Sequence, residues 1–456
     1  MGNNYPIVID NKQLYHSLVV VALPIALQSL IASSLSLVDN LMIGSLGESA
    51  LAATGLATQL FFIQWMILFG FTSGCSTFMA QFWGVQNIKQ IQKVTGFAIT
   101  ICFSSGFLFF IAAAFFPEQV LRIFTNLPEA IEIGSQYMRA GAFCFLCVSI
   151  TVPLTTALRA TQQTAIPLKI SGIAFAINTV LNYLLIFGNF GMPALGVVGA
   201  AVATVIARVL ELTVLIIVIF VRKNKICGKF QDFFGWDRKF ARRILNNAIP
   251  TTLNEALWGA GTAAYNAVYG RMGITEFAAI QASTTINSMF ILAIFSLGDA
   301  LLILVGQRLG KGELEYAYLL AKKILKIGVI IGAFAGVLLI ISSHLIVQFF
   351  EFTDEGRMYA LNILKVYGIF MVVKLFNGMN VTGTLRAGGD TKYAMTAELC
   401  TMWLIGVPIV YVGALWLHLP IYIVVLMAQL EEITKFTLCM KRLTSKKWVR
   451  NVIHEI

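Results

Sequence analysis

A few side chains stand out for the chemistry their type and spacing could do. Asp39 lies in SLSLVDNLMIG (34–44), a stretch otherwise suited to lipid. Asn178 and Asn182 are four apart, hence on one face of a helix. Thr204 follows them after the Gly-rich turn GNFGMPALG. Glu255 lies in IPTTLNEALWG (249–259), deep in another apolar run. A carboxylate, two amide carbonyls and a hydroxyl are hard oxygen ligands, so Asp39, Asn178, Asn182 and Thr204 together suit a small alkali cation such as Na+. A charge near the bilayer centre costs roughly 2.5–3.5 kcal/mol even on lenient insertion scales, so Asp39 is expected to face protein or a wet cavity. The competing reading is that Asp39, about five residues or roughly 7 Å from the loop, simply reaches water. For the asparagines the competing reading is interhelical hydrogen bonding as packing glue.

The elements that position these groups are membrane spans. Of 456 residues 58% are hydrophobic and 12% charged, with mean hydropathy +0.80, which is the composition of a polytopic membrane protein. About 20 apolar residues cross the hydrocarbon core. Twelve runs qualify: 16–43, 51–80, 94–116, 132–155, 166–188, 195–221, 245–270, 276–305, 323–349, 360–384, 393–415 and 419–440. They lack the alternating pattern of a transmembrane barrel. The seven cysteines are scattered and odd in number, with neither a disulfide framework nor metal-ligand spacing. The start, MGNNYPIVIDNKQ, has no signal-peptide pattern, and Pro6 stands where myristoylation needs Ser or Thr.

Lys and Arg fall on alternate connections: Lys89 and Lys93, Arg159 and Lys169, the segment 222–243, Arg308 to Lys323, Arg386 with Lys392, and the tail KRLTSKKWVRN. GSLGES, GNFGMP and LHLP on the other side hold no cation. Both termini are therefore expected in the cytoplasm, with the chain in the cell membrane. This bias and attraction to anionic lipid account for the net charge of +11, leaving no role for nucleic acid.

The sequence also repeats itself. A shift of 226 residues lays Pro24 on Pro250, Asn40 on Asn266, Gly44 on Gly270, Gln81 on Gln307 and Gly84 on Gly310. One further residue of shift lays LRA (158–160) on LRA (385–387) and Thr164 on Thr391. Six spans per half return the chain to its starting side, so both halves enter the membrane in the same direction. The expected architecture is an all-α polytopic membrane protein: 12 transmembrane helices in two pseudo-symmetric six-helix lobes around a central cleft. Its parts are a cytoplasmic segment 1–15, an N-lobe 16–221, a basic linker 222–244, a C-lobe 245–440 and a basic tail 441–456. The halves are chemically unequal: Glu255 maps on Ser29, and Asp39 on Tyr265.

VDNLMIGSLG, LRATQQT, LNYLLIFGNFGMPALGVVGAAVAT and EEITKFTLCMKRLTSKKW resemble the multidrug and toxic compound extrusion (MATE) family over nearly the whole chain, most specifically at 178–204. The resemblance implies a twelve-helix, two-lobed exporter of organic cations or drugs, driven by inward flow of Na+ or H+. It assigns Asp39, Asn178, Asn182 and Thr204 to an amino-terminal cation site. Asn182 stands where some members have an aspartate, which removes one carboxylate and favours Na+ slightly. The resemblance assigns Glu255 to cation or drug binding in the second half. There the tenth span has Lys374, Asn377 and Asn380 in place of the partner aspartate of the NorM-like branch. Two readings of Glu255 stand: a binding group with Tyr265, Asn377 and Asn380, or an ion pair with Lys374.

Other intramembrane polar groups receive plainer readings. Arg208 and Glu211, three apart, are expected to satisfy each other. Glu431 and Glu432 are read as interfacial, beside the basic tail. Asp299, Gln59, Gln64, Trp258 and Gln281 are candidates for lining a drug cavity, where aromatic faces suit flat cations. No cofactor is implied, and a single chain suffices. The runner-up function is a lipid-linked oligosaccharide or lipid flippase of the same superfamily. Such a protein needs basic residues for pyrophosphate, and only Lys374 and Arg208 are read deep in spans. An enzyme lacks support: no HExxH, GxSxG or GxxxxGK[ST] occurs, and the four histidines lie near span ends.

Overall fold

A computed structural model describes residues 9–348, 350 and 352–454, with the backbone alone for 292–295. Most of the segment 1–15 thus lies outside the described residues. Among those described, every regular element is a helix, and each of the twelve expected runs overlies one. They are α1 (Asn11–Gly44), α2 (Glu48–Gly84), α3 (Ile88–Phe115) and α4 (128–160, in two pieces, Pro128–Gly141 and Phe143–Ala160). Then follow α5 (Ala165–Phe187), α6 (Gly196–Val221), α7 (Arg238–Tyr269) and α8 (Ile274–Gly310). The last four are α9 (Leu314–Val347), α10 (Asp354–Leu385), α11 (Thr391–Trp416) and α12 (Ile421–Thr444).

Ten of these helices are long and apolar enough to cross a membrane by themselves. The exceptions are α7 and α12, of 32 and 24 residues, which are long enough but too polar. Their polarity has a local cause: α7 carries Asn254 and Glu255, and α12 carries Glu431, Glu432 and Lys435. Such groups need partners from neighbouring helices, because lipid offers none.

Several helices overrun the expected runs at polar ends that local chemistry holds. Asn87 caps α3 by accepting from the Gln90 amide at 3.3 Å, and Thr353 caps α10 by accepting from the Gly356 amide at 3.1 Å. Gly188 ends α5 with φ of 72°, and a side chain there would also press on Ala194. In α10 and α11 the regular hydrogen-bond ladder loosens to π geometry at Met379–Leu385, Met402–Gly406 and Val412–Trp416.

The chain divides into two compact units. The N-terminal unit comprises Leu27–Met79 and Gln86–Ala248. Within it Phe61 stacks on Phe145 at 4.1 Å, tying α2 to α4. The linker is not loose there: it contains a short helix, Phe230–Phe234, and docks on α3. Gln92 Nε2 donates to the Cys227 carbonyl at 2.7 Å, Phe97 meets Trp236 edge-on, and Gly96 lets the Phe233 carbonyl approach the α3 backbone.

The C-terminal unit comprises the chain up to Ala26, Ala80–Val85, and everything from Ile249 onward. Thus α1 and α7 each change unit within two residues of their internal proline, Pro24 and Pro250. Proline removes one rung of the helical ladder at each change. The repeat mates Gln81/Gly84 and Gln307/Gly310 pack on one another in this unit. A side chain at Gly84 would strike the Gln307 carbonyl, and one at Gly310 the Gln81 carbonyl. Gln81 is fully buried and donates to the Ala387 and Arg450 carbonyls at 2.9 and 3.1 Å, so this crossing also anchors the chain's C-terminal turn.

Because backbone lies directly against backbone there, Gly84→Val or Gly310→Val is expected to lower stability by about 1–3 kcal/mol, the usual cost of overpacking. Gly55→Ala, on a face of α2 where nothing lies within 4 Å, is expected to be neutral. Thermal unfolding of the purified protein in detergent checks the contrast.

Candidate functional site

In the N-terminal unit the four residues read from sequence, Asp39, Asn178, Asn182 and Thr204, are brought together. Asn182 Nδ2 donates to Asp39 Oδ1 and, at 3.0 Å, to Asn178 Oδ1; Asn178 Nδ2 donates to Thr204 Oγ1 at 3.3 Å. Both asparagines are fully buried. Asp39 and Thr204 are half-buried. The chain of bonds runs α1–α5–α6 and orders all four side chains. One acceptor is left over: Asn182 Oδ1 is buried and has no hydrogen-bond partner among the described residues. An amide oxygen of this kind, beside a carboxylate, is a place for a cation or a donated proton.

An apolar layer covers one side of this quartet. Ile43, Ile186 and Ala200 lie one turn from Asp39, Asn182 and Thr204, and pack together with Ala50, Met42, Tyr137 and Val197. On the other side, one turn from Thr204, Arg208 pairs with Glu211 at 2.7 Å, as their spacing implied. From there Glu211 Oε1 accepts from Ser171, Ser171 accepts from Gln28 at 3.0 Å, and Gln28 Oε1 accepts from Arg159 Nη2 at 2.6 Å. The carboxylate thus lies between an oily layer and a string of mutually satisfied polar groups.

The C-terminal unit arranges its acids differently from the sequence reading. Glu255 does not pair with Lys374: its Oε1 is 2.6 Å from Arg386 Nη2. Arg386 is 1% exposed, although LRAGGD reads as a basic connection; the π segment of α10 carries the helix on and draws it inside. Lys374 instead lies over the Tyr367 ring at 5.7 Å. Glu431 and Glu432 are not interfacial either. Because α12 continues to Thr444, they sit at its middle, and Glu431 is buried. Lys435, which resembles the start of the basic tail, is 4% exposed and lies 3.0, 3.6 and 3.8 Å from Glu431, Glu432 and Glu398.

The other expected C-lobe residues gather on that cluster rather than on Glu255. Tyr265 OH donates to Glu431 Oε2. Asn377 Nδ2 donates to Glu432 Oε2 at 2.7 Å and to its carbonyl at 2.8 Å. Asn380 Nδ2 donates to the Cys439 carbonyl at 3.4 Å. Asn254 and Glu398 were missed; Asn254 Nδ2 donates to Glu398 Oε2 at 2.7 Å. The repeat could have found them. Asn254 is the mate of Gln28 and Glu398 that of Ser171, and Gln28 donates to Ser171 as Asn254 does to Glu398. Likewise Arg159 reaches Gln28, and Arg386 reaches Glu255, across 131 residues in both halves.

The cavity candidates divide. Gln64 is 2% exposed and donates to the Phe145 carbonyl at 2.9 Å and Ser149 Oγ at 3.1 Å, so it ties α2 to α4. Gln59 and Trp258 are exposed, Asp299 is half-buried, and Gln281 lies 3.4 Å from Asn266.

The MatE family model matches the chain twice, over residues 24–184 and 250–412. The chain belongs to the MatE family. The two matches begin at Pro24 and Pro250, the 226-residue shift read from the sequence. Relatives of this MatE chain include the probable multidrug resistance protein YoeA of Bacillus subtilis, 25% identical with 89% of each chain covered. The multidrug resistance protein NorM of Burkholderia vietnamiensis is 28% identical, with 86% of this chain and 85% of that protein covered. Among solved structures, a MOP superfamily transporter from Pyrococcus furiosus superposes with TM-score 0.84 at 19% identity, covering 97% of this chain and 99% of that one. An outward-facing multidrug resistance MATE transporter superposes equally well, also with TM-score 0.84. These likenesses confirm the twelve-helix fold of a MATE transporter.

In the MatE chain the Arg386–Glu255 pair is a buried ion pair, with side-chain exposures of 1% and 15%. Removing one partner of such a pair leaves an uncompensated charge and costs about 3–5 kcal/mol. Arg386→Met is therefore expected to destabilise the protein more than Arg386→Met combined with Glu255→Gln. Thermal unfolding of the three proteins in one detergent checks the order.

Proposed function

We propose that this MatE chain is a cation-coupled antiporter that exports organic cations or drugs across the cell membrane by alternating access, both termini lying in the cytoplasm. The observation that carries the proposal is the Asp39–Asn182–Asn178–Thr204 quartet. It is a buried arrangement of one carboxylate, two amides and a hydroxyl, with one amide oxygen left unpartnered. One carboxylate among neutral oxygens balances one unit of positive charge, so one Na+ or one H+ neutralises it. Na+ takes Asp39 with the asparagine and threonine oxygens once the amides turn; H+ takes Asp39 alone, with Asn182 Oδ1 as acceptor. The names of the relatives, multidrug resistance proteins, support drugs as the outward cargo. Each univalent ion moving inward down 100 mV supplies about 2.3 kcal/mol to that work. For the ion to drive a cycle it needs a preference for one conformation. The apolar layer of Ile43, Ile186 and Ala200 supports such a preference, since it closes the quartet on one side.

The flippase reading gains nothing from the additional buried cations. Arg208 is held by Glu211, Arg386 by Glu255 and Lys435 by three glutamates, so these charges are already committed to carboxylates. An anionic headgroup would have to displace those acids.

Asp39→Asn is expected to abolish resistance to ethidium in a host lacking its own pumps, at wild-type expression. Full resistance in that variant would remove the quartet from the mechanism. Ethidium efflux from proteoliposomes with an imposed Na+ gradient, and separately an imposed pH gradient, identifies the coupling ion. Neither gradient driving efflux would sink cation coupling.

A further inference from the structure

The C-terminal cluster contains a carboxylate whose charge the fold does not require. Lys435 serves three acids, and its distances rank them: Glu431 at 3.0 Å, Glu432 at 3.6 Å and Glu398 at 3.8 Å. Glu431 also receives the Tyr265 hydroxyl. The Glu432 carboxylate receives one bond from Asn377, which also donates to its backbone carbonyl, and the nearby positive charge of Lys374. Among the described residues Glu398 takes the Asn254 amide besides the more distant ammonium, and it is the most exposed of the three, at 16%. With Lys435 and Lys374 set against three glutamates, one negative charge is left over.

A second observation points to what relieves it. Asn254 is 3% exposed, its Nδ2 is bonded to Glu398 Oε2, and its Oδ1 is buried without a partner. A half-turn of the amide replaces the N–H donor by this oxygen, which then accepts from a protonated carboxyl. The other half of the molecule shows that the frame itself needs no acid. The mate of Glu398 is Ser171, which takes the same bond from Gln28. The helix beside the acid is also irregular: the π segment Met402–Gly406 begins one turn after Glu398, and Gly406 gives the Tyr265 hydroxyl and the Glu431 carboxylate room.

We propose that Glu398 is a proton-loading site of the C-terminal unit, with Asn254 as the amide that holds either protonation state. A proton from water adds to a Glu398 oxygen, Asn254 turns its Oδ1 to that O–H, and the cluster becomes neutral. The charged and titratable groups that act on it are Tyr265 and Tyr269 on α7, Lys374 on α10, and Glu431, Glu432, Lys435 and Cys439 on α12; the Glu255–Arg386 pair and Tyr367 lie on the same helices α7 and α10. Arg386 is neutralised by Glu255, so it leaves the local balance unchanged. The site is separate from Asp39 and stands whether or not the quartet binds the coupling ion.

Infrared difference spectra of the full chain in lipid nanodiscs, stepped between high and low pH, test this. A protonated-carboxyl C=O band is expected in the wild type. It should be lost in Glu398→Gln and in Glu398→Ser, the residue of the other half, kept in Asp39→Asn after subtraction of any Asp39 band, and weakened in Glu432→Gln, which removes the surplus negative charge. Asn254→Leu should move the band, because the carboxyl loses its amide partner. All variants are compared as monodisperse protein. If a variant does not fold, site-selective isotope editing of wild-type glutamate carboxyls reads the same band. Persistence of the band in both Glu398 variants, or its complete loss in Asp39→Asn, would overturn the assignment.

Discussion

Much of this molecule turns on one interaction: an asparagine NH2 donating to a carboxylate inside a membrane-spanning bundle, with the amide oxygen left buried and unpartnered. It occurs at Asp39 with Asn182, at Glu398 with Asn254, and at Glu432 with Asn377. In a low dielectric such a bond is strong, and an orphaned polar atom beside it is costly. A helical bundle bears that cost three times only if the carboxylates are otherwise unaffordable or the oxygens have work when the carboxylate changes state. An amide is suited to both, since its two ends offer a donor to an ionised acid and an acceptor to a protonated one or to a metal ion. The helices around these pairs are correspondingly polar: α7 and α12, which supply Asn254, Glu431 and Glu432, are the two that are not apolar enough to span unaided.

The internal repeat explains how the two halves share a frame and differ in chemistry. In both, the arginine of the LRA turn reaches the first helix of its half across 131 residues. In both, an amide of that first helix donates to the fifth: Gln28 to Ser171, and Asn254 to Glu398. The partners are then exchanged. Where the N-terminal half closes its string on Arg208 and Glu211, the C-terminal half closes on Lys435 and three acids. Asp39 has no acidic counterpart, because its mate Tyr265 donates to Glu431 instead of carrying charge.

The fold was almost wholly legible in the sequence, because span length and repeat register are coarse signals that survive any detail of packing. The quartet was legible for the same reason: each of its members is a polar residue where apolar ones are expected, and the four-residue spacing of Asn178 and Asn182 fixes a face. The C-terminal cluster was not. Glu431 and Glu432 read as interfacial, beside the basic tail, until Lys435 is seen to hold them in the middle of α12. Arg386 looks like a loop residue until the π segment Met379–Leu385 turns it inward. Glu255 drew attention because it is acidic and central, yet its charge is spent on Arg386, which the sequence separates from it by a whole set of spans. Gln64 shows the converse error, since a polar residue deep in a span can be a packing tie and nothing more.

Comparing how the charges are compensated separates structural acids from working ones. Glu255 and Glu211 each have a dedicated arginine at 2.6 and 2.7 Å, in geometry that fixes their charge. Glu431 has a lysine and a tyrosine. Asp39 is bound by the Asn182 amide, and Glu398 by the Asn254 amide with Lys435 more distant at 3.8 Å; each acid is more exposed than the buried amide beside it. A carboxylate with a short cationic partner keeps its charge through a conformational cycle, because giving it up strands that partner in a low dielectric. One held only by a neutral amide can exchange its charge with little loss. By that criterion the arginine-bound acids are fixed charges of the fold, and Asp39 and Glu398 are the acids to which the proposed change of protonation or ion occupancy is assigned.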